Sequence, residues 1–569
     1  MTSAAPPTPL LKRPGAAELF TPKLITVLRE GYRLEDLRAD ILAGLTVAIV
    51  ALPLSMAIAI ASGVSPERGL FTAAIGGFLI SALGGSRFQI GGPAAAFTVL
   101  VASSVARHGV DGLFLATIMA GIFLFLMGAL RLGSYIKFIP YPVTVGFISG
   151  IAVILFTGQV SDLLGLTLAG KEPADFVPKI EALWSAIGTL NPAALGVSLG
   201  SVLVIVGLRR WRPTWPGILI AVVLGALAVY LLKLPVETIG TRFGGIPNSL
   251  PAPSLPPISI AKIGEVLPDA LSFALLGAIE SLLSAIVADG MTGRRHRSNM
   301  ELVAQGIANI GSALFGGICA TGTVARTATN VRSGARSPLA GMFHAMFVLL
   351  FMLVAAPLAS FIPLAGLAGV LVVVAWNMAE KAAFVTLLRS SRGDAVTLLA
   401  TFLLTVFVGL TQAIVVGFAL GTLLFLHRMA QSAAVEMHAP SVLEDVADDP
   451  DRPPYVPADG ADPDIAIYRI TGAFFFGAAA TVGTVLDRIA DRHKAFVIDF
   501  SAVPFIDSTA ANTIESISRK ARRHGVLLLI SGASEPVERM LRSHGIVEGF
   551  QPSINIAVGA AHAAIGATS

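Results

Sequence analysis

The sequence predicts a polytopic α-helical membrane protein that carries a small α/β domain after its last apolar run. Three observations predict it. Only 13% of the 569 residues are charged and 54% are hydrophobic, at a mean hydropathy of +0.77, where an ordinary soluble chain carries about 25% charged residues. Apolar runs follow one another from residue 41 to residue 430. After 431 the text turns acidic and proline-rich, "EDVADDPDRPPYVPADGADPD", and then alternates short apolar strands with amphipathic helices.

The 57 glycines suit close helix–helix contact in a bilayer. The single cysteine, Cys319, rules out an intramolecular disulfide and any cluster of cysteine metal ligands. The net charge of +4 is small, so its placement matters more than its size; no cofactor, resident metal or nucleic-acid partner is expected. The N-terminal stretch "MTSAAPPTPLLKRPGAAELFTPK" has no apolar core followed by a cleavage site and reads as a cytoplasmic extension. The expected parts are an N-terminal region 1–40, a transmembrane part 41–430, a linker 431–462, an α/β domain 463–555 and a tail 556–569.

In chain order the apolar runs are 41–61, 69–85, 112–130, 140–158, 193–208, 216–232, 267–288, 302–317, 338–360, 364–378, 394–410 and 411–426. Several reach the roughly 20 residues a helix needs to cross about 30 Å of hydrocarbon. Two short runs remain, 93–107 within and after "RFQIGGPAAAF" and 323–333 after "GGICATG". Counting both as crossings, with both termini cytoplasmic, puts the clusters "RLGSYIK", "RRWR", "GRRHR" and "EKAAFVTLLRSSR" inside, as the positive-inside rule requires. Omitting one would reverse everything after it. The expectation is fourteen segments in the cell's inner (plasma) membrane. The short segments are third and tenth, and an odd number of segments per repeat inverts the second copy. Two inverted seven-segment repeats with paired interrupted segments mark a midplane binding site.

Backbone that is neither helix nor closed barrel is costly in lipid unless buried or lining a cavity. A half-helix that starts in the membrane leaves its first N–H groups unpaired and turns its positive dipole end inward, which attracts anions. Pro93 fits near the first helical position, and Ala94, Ala95 and Ala96 leave room beside it. Arg326 lies one turn into the second half-helix; a cation there is costly and usually functional. Its alternatives are snorkelling to the cytoplasm or pairing with a carboxylate. Glu280, in "LLGAIESLLSAIVADG", shares one helical face with Gly277 and Ser284. Its carboxylate could carry a proton, join a sodium site, or pair structurally with Arg326. Pro53 and Ser55 in the first run read as a kink lining a cavity or as an inert kink. His344 reads as a hydrogen-bonded packing histidine, with a proton relay as the alternative.

"DLRADILAGLTVAIVALPLSMAIAIASGVSPERGLF", "GAIESLLSAIVADGMTG", "SNMELVAQGIANIGSALFGG" and "ARTATNVRSGARSPLAG" resemble, in order, the signature regions of SulP/SLC26 anion transporters. The resemblance runs from about residue 30 to 550. It implies core and gate domains, a homodimer, and a small inorganic or organic anion as substrate. It also implies an anion site between the third and tenth segments, faced by the first and eighth. Carried over by motif, the substrate residues are Pro53, Leu54, Ser55, Ile58, Gly92, Pro93, Ala94, Ala95, Thr323, Val324, Ala325 and Arg326. Glu280 and Ser284 fall at the coupling-ion position, for H⁺ or Na⁺. Leu54 stands where some members have glutamine, and Ala94 where members have Phe or Thr, so the site is roomier and less polar. Sulfate, bicarbonate and C4-dicarboxylates stay open.

The C-terminal stretch "VIDFSAVPFIDSTAANTI" resembles the strand–loop–helix of the STAS domain that closes SulP chains. Asp507, Ser508 and Thr509 are expected to cap the following helix. In related soluble proteins a hydroxyl here is phosphorylated, and the domain could bind a cytoplasmic partner; Ala510, where glycine is usual, weakens that reading. The expected function is secondary active transport of small anions by alternating access. The alternatives are a membrane-anchored STAS regulator or scaffold, and a nucleobase transporter of the same architecture. No catalytic constellation points to an enzyme.

Overall fold

The computed structural model describes residues 19–134, 140–170, 172–173, 175–212, 215–431, 434–437, 464–479, 483 and 493–566. Most of the N-terminal extension and of the expected linker lies outside the described residues. The chain divides into two compact units, Met1–Ala419 and Leu420–Ser569.

Among the described residues, the first unit is helical apart from one small sheet. A short amphipathic helix, α1 (Lys23–Glu30), precedes α2 (Leu34–Ala61), which continues unbroken through Pro53. Then come α3 (Pro66–Phe71), a single π-helical stretch Thr72–Gly76, and α4 (Gly77–Leu83). The extended strand β1 (Gly91–Gly92) leads through a 3₁₀ turn, Ala95–Phe97, into α5 (Thr98–Ala129). At Gly109 the backbone takes φ 69°, a left-handed conformation that glycine adopts without strain. This break separates the expected third run from the fourth.

Next are α6 (Tyr141–Gly158), α7 (Pro192–Trp211), α8 (Gly217–Leu232), α9 (Ile260–Thr292) and α10 (Ser298–Leu314). Strand β2 (Thr321–Gly322) opens α11 (Val324–Arg332). The unit ends with α12 (Leu339–Ala359), α13 (Leu364–Met378), α14 (Lys381–Ser390), α15 (Arg392–Phe407) and the first half of α16 (Leu410–Gln431). All fourteen apolar runs are helical. Among the described residues, eight helices are long and apolar enough by themselves to cross a bilayer.

Buried carboxylates tie the segment ends together. Asp40 of α2 accepts from the backbone N–H groups of Arg336 and Ser337 at 2.7 and 3.1 Å, and from Tyr32 Oη at 2.7 Å. Glu301 of α10 accepts from the N–H groups of Gly85 and Ser86, at 2.9 and 3.0 Å. Both carboxylates are fully buried, and such charges persist in a core only when several donors satisfy them.

The second unit carries a five-stranded sheet in the order β3–β4–β5–β6–β7: β3 (Ala434–Met437), β4 (Ile465–Thr471), β5 (Ala495–Ala502), β6 (Leu527–Ser531) and β7 (Phe550–Gln551). Strand β3 pairs antiparallel with β4 and the others pair parallel. Helices α17 (Ser508–Arg523) and α18 (Glu535–Ser543) cover Phe474, Phe496 and Phe500. Two expected boundaries move. The stretch expected as linker supplies β3, whose backbone pairing its polar setting did not advertise. The stretch expected as a tail forms α19 (Ile554–Gly566), whose small residues Ala557 and Ala561 lie fully buried with Ala495, Val497 and Leu529.

Asp499 sits in this core. Burial would raise its carboxyl, but hydrogen bonds from Ser501, Arg469 and Ser531 outweigh that and hold it below the usual carboxylate range. Of the three residues expected to cap α17, only Asp507 does so, accepting from Ala510 N–H at 2.9 Å; Ser508 and Thr509 are exposed residues of the first turn.

Candidate functional site

Two extended dipeptides meet inside the first unit. Gly91 pairs with Gly322 and Gly92 with Thr321 in an antiparallel register. The chain therefore leaves β1 and β2 in opposite directions, each time into a helix. Thr323 N–H adds a further bond to Ile90 C=O at 3.0 Å.

Side chains of the neighbouring helices complete what two residues of sheet cannot satisfy. Asn309 of α10 lies beside Ala320 like a third strand, donating to its carbonyl at 2.8 Å and accepting from its N–H at 2.9 Å. Thr327 of α11 accepts from Ile90 N–H at 3.0 Å and from Ser284 Oγ at 2.9 Å. Asn330 donates to Phe88 C=O at 2.9 Å. Gln89 donates to Ser281 Oγ, and Thr321 to Gly277 C=O. Nearly all of these groups are buried, where an unpaired backbone group would cost about 1–3 kcal/mol.

The glycines are required by close approach. A Cβ built on Gly92 would lie 2.3 Å from Nη1 of Arg326, and its φ of +153° disfavours any other residue. A Cβ on Gly322 would lie 1.6 Å from Nε2 of Gln89.

Arg326 crosses the junction. Its Nη2 donates to Ser55 Oγ at 3.1 Å and to Pro93 C=O at 3.2 Å, linking α11, α2 and the residue after β1. The residue is 2% exposed, and its Nε and Nη1 have no hydrogen-bond partner. It forms no ion pair with Glu280 among the described residues, so neither that pairing nor snorkelling describes it. Neither half-helix has a side-chain cap: Thr323, at the N-cap of α11, turns its hydroxyl to Ile90 C=O instead, and Ala94 has none to offer. The first N–H groups of each helix lack intrahelical acceptors, and the aligned peptides place about half a positive charge at each end. Val324 is 36% exposed and Ala325 is exposed as well, so the start of α11 is reachable. Two uncapped helix starts and a partly satisfied guanidinium can together hold a small anion.

The sequence-derived residues divide into those brought together here and those placed elsewhere. Ser55, Gly92, Pro93 and Arg326 meet directly, and Thr323 is tied to the junction through Ile90 C=O. Pro93 stands near the first helical position, one residue ahead of the N-cap Ala94, and contributes its carbonyl. Ala94 is buried and Ala95 half-buried at the start of the 3₁₀ turn; Leu54 is half-buried and Ile58 fully buried on α2. Pro53 lies on the other side of α2, lining an apolar cavity of about 690 Å³ with Leu52, Met56, Val222, Tyr230 and Met352. The expected shared face of α9 divides: Gly277 and Ser284 turn to β2 and α11, while Glu280 lines a separate cavity of about 520 Å³. His344 is not the hydrogen-bonded histidine expected: it is fully buried on α12 and neither ring nitrogen has a partner. Sequence reasoning missed Gln89, Asn309, Thr327 and Asn330. Their signal was a polar side chain with hydrogen-bonding capacity inside or beside an apolar run.

A family model for the sulfate permease family matches residues 37–401, and a STAS domain model matches 458–558. The chain is 38% identical to a protein named putative sulfate transporter YvdB of Bacillus subtilis, over 91% of this chain and 95% of that one. It is 32% identical to the bicarbonate transporter BicA of Synechocystis, over 91% and 92%. The solved transmembrane domain of a cyanobacterial BicA superposes with a TM-score of 0.61 at 33% identity, covering 69% of this chain and 98% of that one. The structure of SLC26A9 superposes with a TM-score of 0.83 at 18% identity, over 95% and 92%, and so shares the fold.

Proposed function

The chain belongs to the sulfate permease family of anion transporters, a multi-pass membrane family, and from that premise we propose that it is a secondary active transporter of sulfate or bicarbonate. It moves one of these anions by alternating access, with the ion held between the starts of the 3₁₀–α5 and α11 half-helices. The observation that carries the site is Arg326: a buried guanidinium with two nitrogens unpartnered, beside two uncapped helix N-termini. One relative is named for sulfate and another for bicarbonate. C4-dicarboxylates are a broader third class that the small Ala94 side chain leaves room for. The fourteen-crossing count, cytoplasmic termini, the inner membrane and the homodimer belong to the same proposal.

Glu280 is the coupling group in this reading. Its carboxylate opens into a cavity instead of an ion pair, and a transported cation must leave as readily as it enters. The test is uptake of labelled sulfate and labelled bicarbonate into proteoliposomes under an imposed pH or Na⁺ gradient. Gradient-driven accumulation of either anion, lost in Glu280→Gln, is the expected result. Absence of uptake of every anion, together with capture of a soluble partner by the C-terminal domain, would sink the proposal in favour of a membrane-anchored scaffold.

A further inference from the structure

We propose that the apolar cavity beside α2 holds one acyl chain of a membrane phospholipid, with the headgroup at its Tyr230 end. This site is separate from the anion site and does not depend on which anion is carried.

The cavity of about 690 Å³ lies between α2, α8, α12 and the residues that follow α12. Among its lining side chains, Tyr230 alone carries an oxygen or nitrogen. Water does not settle in such a space: an engineered cavity of about 150 Å³ lined by Leu, Ile and Phe stays dry and takes up benzene. The cavity beside α2 has room for a much longer hydrocarbon. The sequence keeps it open, because Ala226 of α8 and Ala355, Ala356 and Ala359 of α12 stand in the lining where larger apolar residues would close it.

The occupant follows from what the opening faces. Met56, Val222 and Met352 form a buried inner wall, while Val223, Leu227, Leu358 and Phe361 of the same lining are exposed. Helices α2 and α12 are long and apolar enough to cross a bilayer, and α8 is a shorter apolar helix. In a multi-pass membrane protein the exposed apolar faces of such helices meet lipid hydrocarbon. An acyl chain entering from the bilayer gives the inner wall the close contacts that a void denies it.

The polar end is marked as well. The Tyr230 and Phe361 rings stand edge to face, with centroids 5.4 Å apart. Tyr230 is exposed in the last turn of α8, and tyrosine near the end of a membrane helix sits at headgroup level with its hydroxyl toward the polar side. Lys233 caps the same helix three residues later and is exposed. An ammonium at that depth complements a lipid phosphate. An apolar interior with a phenol and an ammonium at one end matches a phospholipid.

Helix α2 is the wall between this cavity and the anion site. Its Leu52, Pro53 and Met56 line the cavity, while its Ser55 accepts from Arg326. A bound chain therefore packs against the helix that holds the partner of Arg326.

The test uses the full-length protein in detergent, with palmitoyl-oleoyl phosphatidylglycerol as the probe. Native mass spectrometry is expected to show a phospholipid that stays on the protein after the micelle is removed. Ala226→Phe and Ala355→Phe each put a ring into the cavity and should lower that retention by about tenfold or more, the effect of about two methylene groups turned out of an apolar site. Leu203→Phe, on an exposed position of α7 outside the lining, should retain the lipid as the unmodified protein does. Lys233→Gln should lower retention about fivefold, the scale of one lysine near an anionic headgroup. Added lipid should raise the unfolding temperature of the unmodified protein more than that of either Phe variant, whose cavity is already filled. If a Phe variant does not fold, Ala226→Leu and Ala355→Leu should each show a partial loss of retention. No retained phospholipid, full retention in the cavity variants, or an equal loss in Leu203→Phe would each overturn the proposal. Unaltered retention in Lys233→Gln would overturn the placement of the headgroup.

Discussion

The two interrupted segments answer each other in backbone but differ in chemistry. Both consist of an extended dipeptide containing glycine that leads into a helix, and the dipeptides pair antiparallel. After β1, however, the chain enters through Pro93, Ala94 and a 3₁₀ turn, all apolar and nearly all buried. After β2 it enters directly as α-helix, with Val324 and Ala325 exposed and Arg326 folded back under the first segment. The pairing thus supplies two helix N-termini from mirrored backbone, while the guanidinium that reaches across it comes from one side. A repeat that duplicates the backbone need not duplicate the site's charge.

The strongest way to break this asymmetry is to remove its cation. Arg326→Ala is expected to raise the half-saturation concentration for the transported anion at least about tenfold, roughly 1.4 kcal/mol. Arg326→Lys should recover part of that loss, because an ammonium keeps the charge but not the planar group whose Nε and Nη1 stay free for the anion while Nη2 binds Ser55 and Pro93. An unchanged half-saturation in Arg326→Ala would remove the residue from the site.

The glycines sharpen the comparison next. Both Gly92→Ala and Gly322→Ala overpack their neighbours, at a cost of about 1–3 kcal/mol in core substitutions, read as a fall in thermal stability in detergent. They should differ in rescue. Gln89→Ala removes the side chain that a Cβ on Gly322 strikes, and should restore part of the stability of Gly322→Ala. No such truncation should rescue Gly92→Ala, whose backbone also sits at φ +153°.

The side chains that close the small sheet rank below these. Asn309→Leu strips both bonds from Ala320, and Thr327→Val strips the acceptor of Ile90 N–H. Each is expected to cost about 1–3 kcal/mol, with Asn309→Leu the larger; the reverse order would mean that the β1 side carries more of the junction. The smallest effect is expected from Ala94→Ser, which adds one hydroxyl to the apolar side. It should alter the preference between sulfate and bicarbonate by less than about tenfold, since one hydrogen bond contributes about 1 kcal/mol. Competition uptake measures it, and a larger change would place Ala94 in direct contact with the anion.

Much of this molecule was legible in the chain. Each of the fourteen apolar runs is a helix, because hydropathy along a bilayer-length segment leaves the backbone little choice but to satisfy itself. The interruptions at "IGGPAAA" and "CATGTVAR" were legible as well, since glycine and proline mark where the regular backbone stops. Arg326 stood out as a charge in an apolar setting. The α/β domain was visible in strands that alternate with helices, although strand β3 and helix α19 were not, being short or rich in alanine.

What the sequence determined by itself is therefore local: which stretches are helical, where they break, and which few polar groups intrude. Only the tertiary structure decided which intruders meet. Gln89 with Ser281, Asn309 with Ala320 and Arg326 with Ser55 are pairings between segments far apart in the chain. It also sent Glu280 into a cavity of its own, away from the face that Ser284 presents to α11. Helical periodicity fixes the angle of a side chain around its own axis to within a wide sector. Which neighbour fills that sector depends on how the helices pack, and a buried polar group settles wherever packing brings it a partner.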